Sequence, residues 1–153
     1  MTDVHVSVSP VPASATFALR HRVLRPHQRV EDMGLPGDDD PSTVYLATLA
    51  VDGSVTGCLR LQRVPCPWRP VAADAWQLRA MAVDAPRRGQ GLGAALVAGA
   101  VDQVARAGGG LLWCKARLAA RAFYERAGFT AVTELWEEPH IGLHVGMLRE
   151  VPA

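Results

Sequence analysis

Val4, Val6 and Val8 alternate with polar neighbours near the start of the chain, a period of two that predicts a strand over His5 to Val11. Ser14 then stands where a cap would open a helix, and Phe17, Leu19 and Val23 recur at helical spacing until Pro26 stops it. His27 to Pro41 carries Gly34, Pro36, Gly37 and the run Asp38, Asp39, Asp40, which reads as a loop with room for one helical turn. Acids placed beside Gly37 and Pro41 are expected to form a solvated turn. Val44 to Val51 and Ser54 to Val64 are strand-like on either side of Asp52-Gly53, a hairpin signal, so the two should pair antiparallel. Three prolines between Pro65 and Pro70 break the sheet into a surface excursion that carries Trp68, and Trp76 to Val83 follows as a strand.

The second half changes character. Leu92 to Ala107 is rich in alanine and leucine at helical spacing, and glycines 108 to 110 end it. Leu111 to Lys115 is a short apolar strand. Leu118 to Ala127 reads as a further helix, closed by Gly128 as a left-handed C-terminal residue with Phe129 folding back on the last turn. Thr130 to Trp136 and Leu143 to Val151 are two closing strands around a loop with Pro139. This order predicts a mixed sheet with helices on both faces, an α/β (α+β) fold in one domain over residues 1–153.

Composition narrows the function classes. A chain of 153 residues is the size of one ordinary domain, and 49% hydrophobic with 20% charged residues is a globular profile. A formal charge of +1 supplies no global field for a polyanion or an anionic membrane, and no apolar run approaches the roughly 20 residues that span a bilayer. The expectation is a cytoplasmic protein with no nucleic-acid or membrane partner. Cys58, Cys66 and Cys114 are widely spaced without zinc-finger partners, so they read as buried thiols and no metal is expected.

The chemistry concentrates in Met81-Ala82-Val83-Asp84-Ala85-Pro86-Arg87-Arg88-Gly89-Gln90-Gly91-Leu92-Gly93-Ala94, a strand-to-helix turn with three glycines and two arginines. Glycines let the backbone bend and let an oxygen-rich ligand approach, and the free N–H groups of a helix start favour an anion. Arg87 and Arg88 add forked donors suited to phosphate. The turn reads as a pyrophosphate cradle. A Walker loop is excluded, because no Gly-Lys pair exists in the chain. The dinucleotide pattern is formally met by Gly89, Gly91 and Ala94, yet Gly108-Gly109-Gly110-Leu111 falls where its ribose-binding acid belongs.

Arg88-Gly89-Gln90-Gly91-Leu92-Gly93 resembles the R-x-x-G-x-G acyl-CoA signature of the GNAT N-acetyltransferases. Ala119-Ala120-Arg121-Ala122-Phe123-Tyr124-Glu125-Arg126-Ala127-Gly128-Phe129 resembles that superfamily's second hallmark, A-x-x-F-Y-x-x-x-G-F. The likeness extends from Leu19-Arg20-His21-Arg22-Val23-Leu24 to Gly142-Leu143-His144-Val145-Gly146-Met147. It implies a mixed, mostly antiparallel central sheet of about seven strands with helices on both faces. It also implies an enzyme that moves the acetyl group of acetyl-CoA directly to the amine of a small molecule or peptide.

Carried over by residue, the resemblance implies that backbone groups of Met81, Ala82 and Val83 meet the pantetheine arm and that Arg88, Gly89, Gln90, Gly91, Leu92, Gly93 and Ala94 hold the pyrophosphate. Leu111 to Lys115 would splay from the preceding strand and open a slot. Ala119, Phe123 and Arg126 would lie on the cofactor side, and Tyr124 would protonate the departing thiolate. Many relatives carry a glutamate base on the strand that here reads Trp76-Gln77-Leu78-Arg79-Ala80-Met81, without a carboxylate. Glu137 and His144, with Glu138 and His140 beside them, are the candidates that remain for the base, together with a water chain. Lys115 stands where relatives often have Asn and faces cofactor, acceptor or solvent. Trp68, Trp76 and Trp136 would line an acceptor pocket or a dimer contact, since small domains of this architecture often dimerise. A member that binds acyl-CoA as a sensor without turnover is the alternative.

Overall fold

The computed structural model describes residues 6–153, so His5 and the opening of the first expected strand lie outside the described residues. The chain divides into two compact units: the residues up to Gln62 with Ala80–Ala100, and Arg63–Arg79 with Val101–Ala153. Among the described residues no helix is long and apolar enough to cross a membrane.

In the first unit β1 (Val8–Val11), β2 (Val44–Leu49) and β3 (Val55–Arg63) run antiparallel. The Asp52-Gly53 turn joins β2 to β3 as expected, with Gly53 at φ +88°. Alternation along the strands sends Ala47 and its partner Cys58 to one face, Leu46 and Leu59 to the other. Leu19 of α1 (Phe17–Leu24) packs on the Ala47 and Cys58 face. The start of α2 (Leu92–Arg106) covers the opposite face: a Cβ on Gly99 would meet Val8 and Leu46, and one on Gly57 would meet Leu96. Helices thus cover both faces of this sheet, as the sequence predicts. One detail differs. A 3₁₀ turn, Ala13–Thr16, precedes α1, and neither Ser14 nor Thr16 caps it; the Thr16 hydroxyl donates backwards to the Ala13 carbonyl at 2.7 Å.

The loop between α1 and β2 holds one 3₁₀ turn, Val30–Asp32. Asp38 departs from the expected solvated turn. Its carboxylate accepts hydrogen bonds from the Tyr45 hydroxyl at 2.7 Å and the Leu35 N–H at 2.9 Å. It also stands 3.2 Å from Nε of Arg60, an ion-pair distance without hydrogen-bond alignment. Arg60 donates to the Pro36 carbonyl at 2.6 Å and Arg20 to the Met33 carbonyl at 2.9 Å, and both guanidinium side chains are 2% exposed. Burial, helped by the bond to Asp38, pushes the Tyr45 phenol up to about 12. Buried arginines therefore pin the loop through its carbonyls, while Asp39 and Asp40 remain in solvent.

In the second unit β5 (Gly110–Arg117) pairs antiparallel with β8 (Gly142–Val151) from Gly110↔Val151 to Arg117↔His144. β6 (Thr130–Ala131) and β7 (Trp136–Glu138) lie on the far edge of β8. The strand expected over Thr130 to Trp136 is split in two. The Thr133 hydroxyl accepts the Gly146 N–H at 2.8 Å in place of a backbone carbonyl, and the split brings the described strands to eight. After a 3₁₀ turn, Leu118–Ala120, α3 (Arg121–Arg126) ends at Gly128, φ +91°, where the Phe129 N–H bonds the Tyr124 carbonyl at 3.0 Å. The excursion after β3 is less superficial than its prolines suggest. Cys66 is buried, and Trp68 sits edge-on to Trp113 at 5.4 Å between ring centroids.

Strand β4 (Ala75–Val83) begins in the second unit and ends in the first. Its start makes a parallel pair, Ala75–Gln77 against Leu111–Trp113. Its end lies along β3, where Asp84 N–H bonds the Thr56 carbonyl at 2.8 Å. The result is a mixed, mostly antiparallel sheet.

Candidate active site

The turn after β4 is shaped by two residues that need a left-handed backbone. Gly89 (φ +82°) and Gly91 (φ +79°) supply it, and a Cβ on either would meet nothing within 4 Å. Both are therefore chosen for conformation, and the space above them is open. Asp84 anchors the entry: its carbonyl accepts the Arg87 N–H at 2.8 Å, and its carboxylate takes Arg22 of α1 at 3.2 Å. The first intrahelical bond of α2 runs from Ala95 N–H to the Gly91 carbonyl, so the N–H groups of Leu92, Gly93 and Ala94 have no partner within the helix. Arg87, Arg88, Gly89, Gln90, Gly91 and Ala94 are exposed, and neither arginine is in an ion pair among the described residues. Unpaired N–H groups at a helix start, an open surface and two guanidinium groups fit a pyrophosphate.

Upstream, Ala80 adopts φ +57°, unusual for a residue with a Cβ, and its carbonyl faces the Cys58 thiol at 3.7 Å. The kink sits next to Met81, Ala82 and Val83, whose backbone the family resemblance would place against the cofactor. Alternation gives no warning of it, because alanine carries no conformational signal of its own. The ladder between β4 and β5 ends at Gln77 and Trp113, although β5 continues to Arg117.

The second unit presents two opposite faces. On one, Cys114 and Met147 are register partners, and Tyr124 stands near enough for a charge on Cys114 to affect it. Tyr124 is buried, edge-on to Phe123 at 5.1 Å and to Phe129 at 5.3 Å. Burial first, and Cys114 second, push its phenol well above the ordinary value, and burial pushes the Cys114 thiol up to about 12. Trp76, partner of Leu112, is buried on this side of β5.

On the other face Arg117, His144 and Trp136 form one row across β5, β8 and β7. Trp136 stacks on His144 with centroids 5.9 Å apart and planes 29° apart, and Trp68 lies 6.3 Å from Trp136. Gly146 makes room for Trp68, since a Cβ there would come within 2.6 Å of the indole. His144 Nδ1 lies 2.9 Å from the Gly142 carbonyl. A carbonyl only accepts, so Nδ1 carries the proton and Nε2 of the neutral ring keeps its lone pair. Glu137 pairs with Leu143 and projects from the opposite face, exposed, while Glu138 shares the His144 face and accepts the Trp136 indole N–H at 2.8 Å. The structure therefore brings His144, Trp136 and Trp68 together and leaves Glu137 and Trp76 apart from them. His140 is exposed at φ +66° at the hairpin tip. On α3 and the turn before it, Ala119 and Arg126 are exposed and Phe123 is half-buried. Among the described residues no group of three or more His, Cys, Asp or Glu could hold a metal ion.

Residues 14–129 match the acetyltransferase (GNAT) family. The N-acetyltransferase YitI of Bacillus subtilis (strain 168) is 28% identical over 144 residues, covering 94% of this chain and 95% of that protein. An acyl-CoA N-acyltransferase from Pseudomonas aeruginosa has a similar structure, with TM-score 0.71 at 27% identity over 95% of this chain and 99% of that one. The ribosomal-protein-S18-alanine N-acetyltransferase from Escherichia coli shares the fold, with TM-score 0.76 at 20% identity over 97% and 96%.

Proposed function

Because the chain belongs to the acetyltransferase (GNAT) family, we propose that it transfers the acetyl group of acetyl-CoA directly to a primary amine, with Tyr124 as proton donor and His144 as base. The observation that carries this reading is the turn at Gly89 and Gly91, with two exposed guanidinium groups beside the unpaired N–H groups of Leu92, Gly93 and Ala94. Arg88 through Ala94 would hold the pyrophosphate, and backbone groups of Met81, Ala82 and Val83 the pantetheine amides. Ala119, Phe123 and Arg126 would also contact the cofactor, a role that rests on their place in the second signature. Bound acetyl-CoA supplies a thioester carbonyl open to attack by an amine.

Tyr124 is fitted to its role by burial. A phenol raised above its ordinary value keeps its proton at every physiological pH. The shift makes it a weaker acid in the abstract, yet the low-dielectric surroundings strengthen a hydrogen bond from its hydroxyl to a developing thiolate. His144 is fitted by its tautomer, since Nε2 can take a proton from an amine while Gly142 holds Nδ1. The two groups lie on opposite faces of the β5–β8 ladder, so each would serve the reaction from its own face.

The test is acetyl-CoA-dependent thiol release over a panel of primary amines, repeated with Tyr124→Phe. The expected result is turnover with at least one amine and a loss of about 10²–10⁴ in kcat for the variant, with acetyl-CoA affinity unchanged. A variant with full kcat removes the acid role, and acetyl-CoA binding without release for any amine supports a sensor.

A further inference from the structure

The face that carries His144 is unusually furnished for a chain with four tryptophans and one lysine. Trp68 and Trp136 are half-buried there and form a tilted aromatic wall. Arg117 is the cross-strand partner of His144, and Lys115, partner of Gly146, is the next side chain of β5 on that face. Cross-strand partners hold their Cβ atoms about 5 Å apart. Both cations are exposed, and neither enters an ion pair or a side-chain hydrogen bond among the described residues. Glu138 is a carboxylate on this face, where one of its oxygens accepts from Trp136, and Glu150 lies on it at the far end of β8. The row thus combines an apolar wall, a proton acceptor and uncompensated positive charge on adjacent strands.

Resting on the acetyltransferase reading above, we infer that the acceptor is a free α-amino acid with a large apolar or aromatic side chain, its carboxylate held by Arg117 and Lys115 and its body laid against Trp68 and Trp136. An α-amino acid carries amine and carboxylate on one carbon, which matches a base and a guanidinium one cross-strand pair apart. Guanidinium suits a carboxylate because its forked donors can engage both oxygens. The positive charge also disfavours the ammonium form of the bound amine, which must be neutral to attack. In the transfer, the amine nitrogen forms a bond to the acetyl carbon, the carbon–sulfur bond breaks, the proton lost by nitrogen goes to His144, and the departing sulfur takes the Tyr124 hydroxyl proton to leave as the thiol, the tyrosine then regaining a proton from solvent.

The test compares L-phenylalanine and L-leucine with phenethylamine and isoamylamine, which lack only the carboxylate. The amino acids should be favoured at least tenfold in kcat/KM. Arg117→Gln and Lys115→Gln should erase that preference through KM and leave the acetyl-CoA Kd unchanged. Equal use of both amine types overturns the inference. So does a parallel loss of acetyl-CoA affinity in the variants, which would assign the cations to the nucleotide. Calorimetric binding of L-phenylalanine to the CoA-loaded protein reads the same site without turnover, and absence of binding there also overturns it. Failure of the acetyltransferase reading looks different: no heat with acetyl-CoA and no thiol release with any amine.

Discussion

The glycine turn after β4 and the face that carries His144 differ in how a sequence builds them. The turn is local: Arg87 to Ala94 lie side by side in the chain, and its donors are backbone N–H groups placed by two left-handed glycines. The face is assembled by register. Arg117, His144, Trp136 and Trp68 come from three strands and a loop, and each is in place because a ladder has one alignment and not its neighbour. A site made of backbone tolerates side-chain change as long as its glycines stay, whereas a site made of register fails when one residue shifts the alignment.

Substitutions can sharpen that contrast. The largest effect is expected at His144: His144→Asn should lower kcat/KM about 10²–10⁴-fold at neutral pH while acetyl-CoA still binds, as a kinetic and calorimetric pair would show. Next comes Gly146→Ala, whose Cβ would collide with Trp68 and Thr133 at 2.6 Å. Overpacking of this kind should cost about 1–3 kcal/mol in denaturant unfolding and raise the acceptor KM, again without touching the turn.

Alkaline pH should affect both units alike. Cys58 in the first and Cys114 in the second are each pushed up to about 12 by burial. Their folded values lie above the unfolded ones, so the unfolded chain loses these protons first, and the stability they contribute is intact below about pH 8.5. Each thiol should remove about 1.4 kcal/mol of stability per pH unit above that point until its folded value is reached. Unfolding between pH 9 and 10 should become roughly half as steep in either Cys58→Ala or Cys114→Ala. The smallest effect is expected at Glu137, which is exposed on the far face of β7; Glu137→Gln should leave kcat/KM within about twofold. A large loss there would move the base to that face.

The same contrast governs what could be read in advance. Gly89 and Gly91 announced the turn because their conformation is a property of adjacent residues, and the hairpin at Asp52-Gly53 and the helix end at Gly128 were legible for the same reason. A mixed sheet with helices on both faces followed from the order of such elements, and the likeness to the GNAT family from the two signatures. Side-chain partners far apart in sequence were not legible. Asp38 looked like one of three solvated acids, yet Tyr45 and Arg60 reach it from the sheet. Trp68 looked exposed between prolines, yet Gly146 leaves it a place on β8. Glu137 and His144 looked equivalent as bases until the β7–β8 register sent them to opposite faces. The positive φ of Ala80 had no signal at all, since tertiary context imposes it on a residue that prefers other conformations.

Calorimetric titration of acetyl-CoA into the protein and into an Arg88→Glu, Gly91→Asp variant tests the central claim most directly. The variant puts two negative charges where an anion should sit and a Cβ on a backbone that prefers none, so affinity should fall by about 100-fold or more while the fold melts within a few degrees of the parent. Equal binding by both proteins, or no binding by the parent, would contradict the assignment of the turn to acyl-CoA.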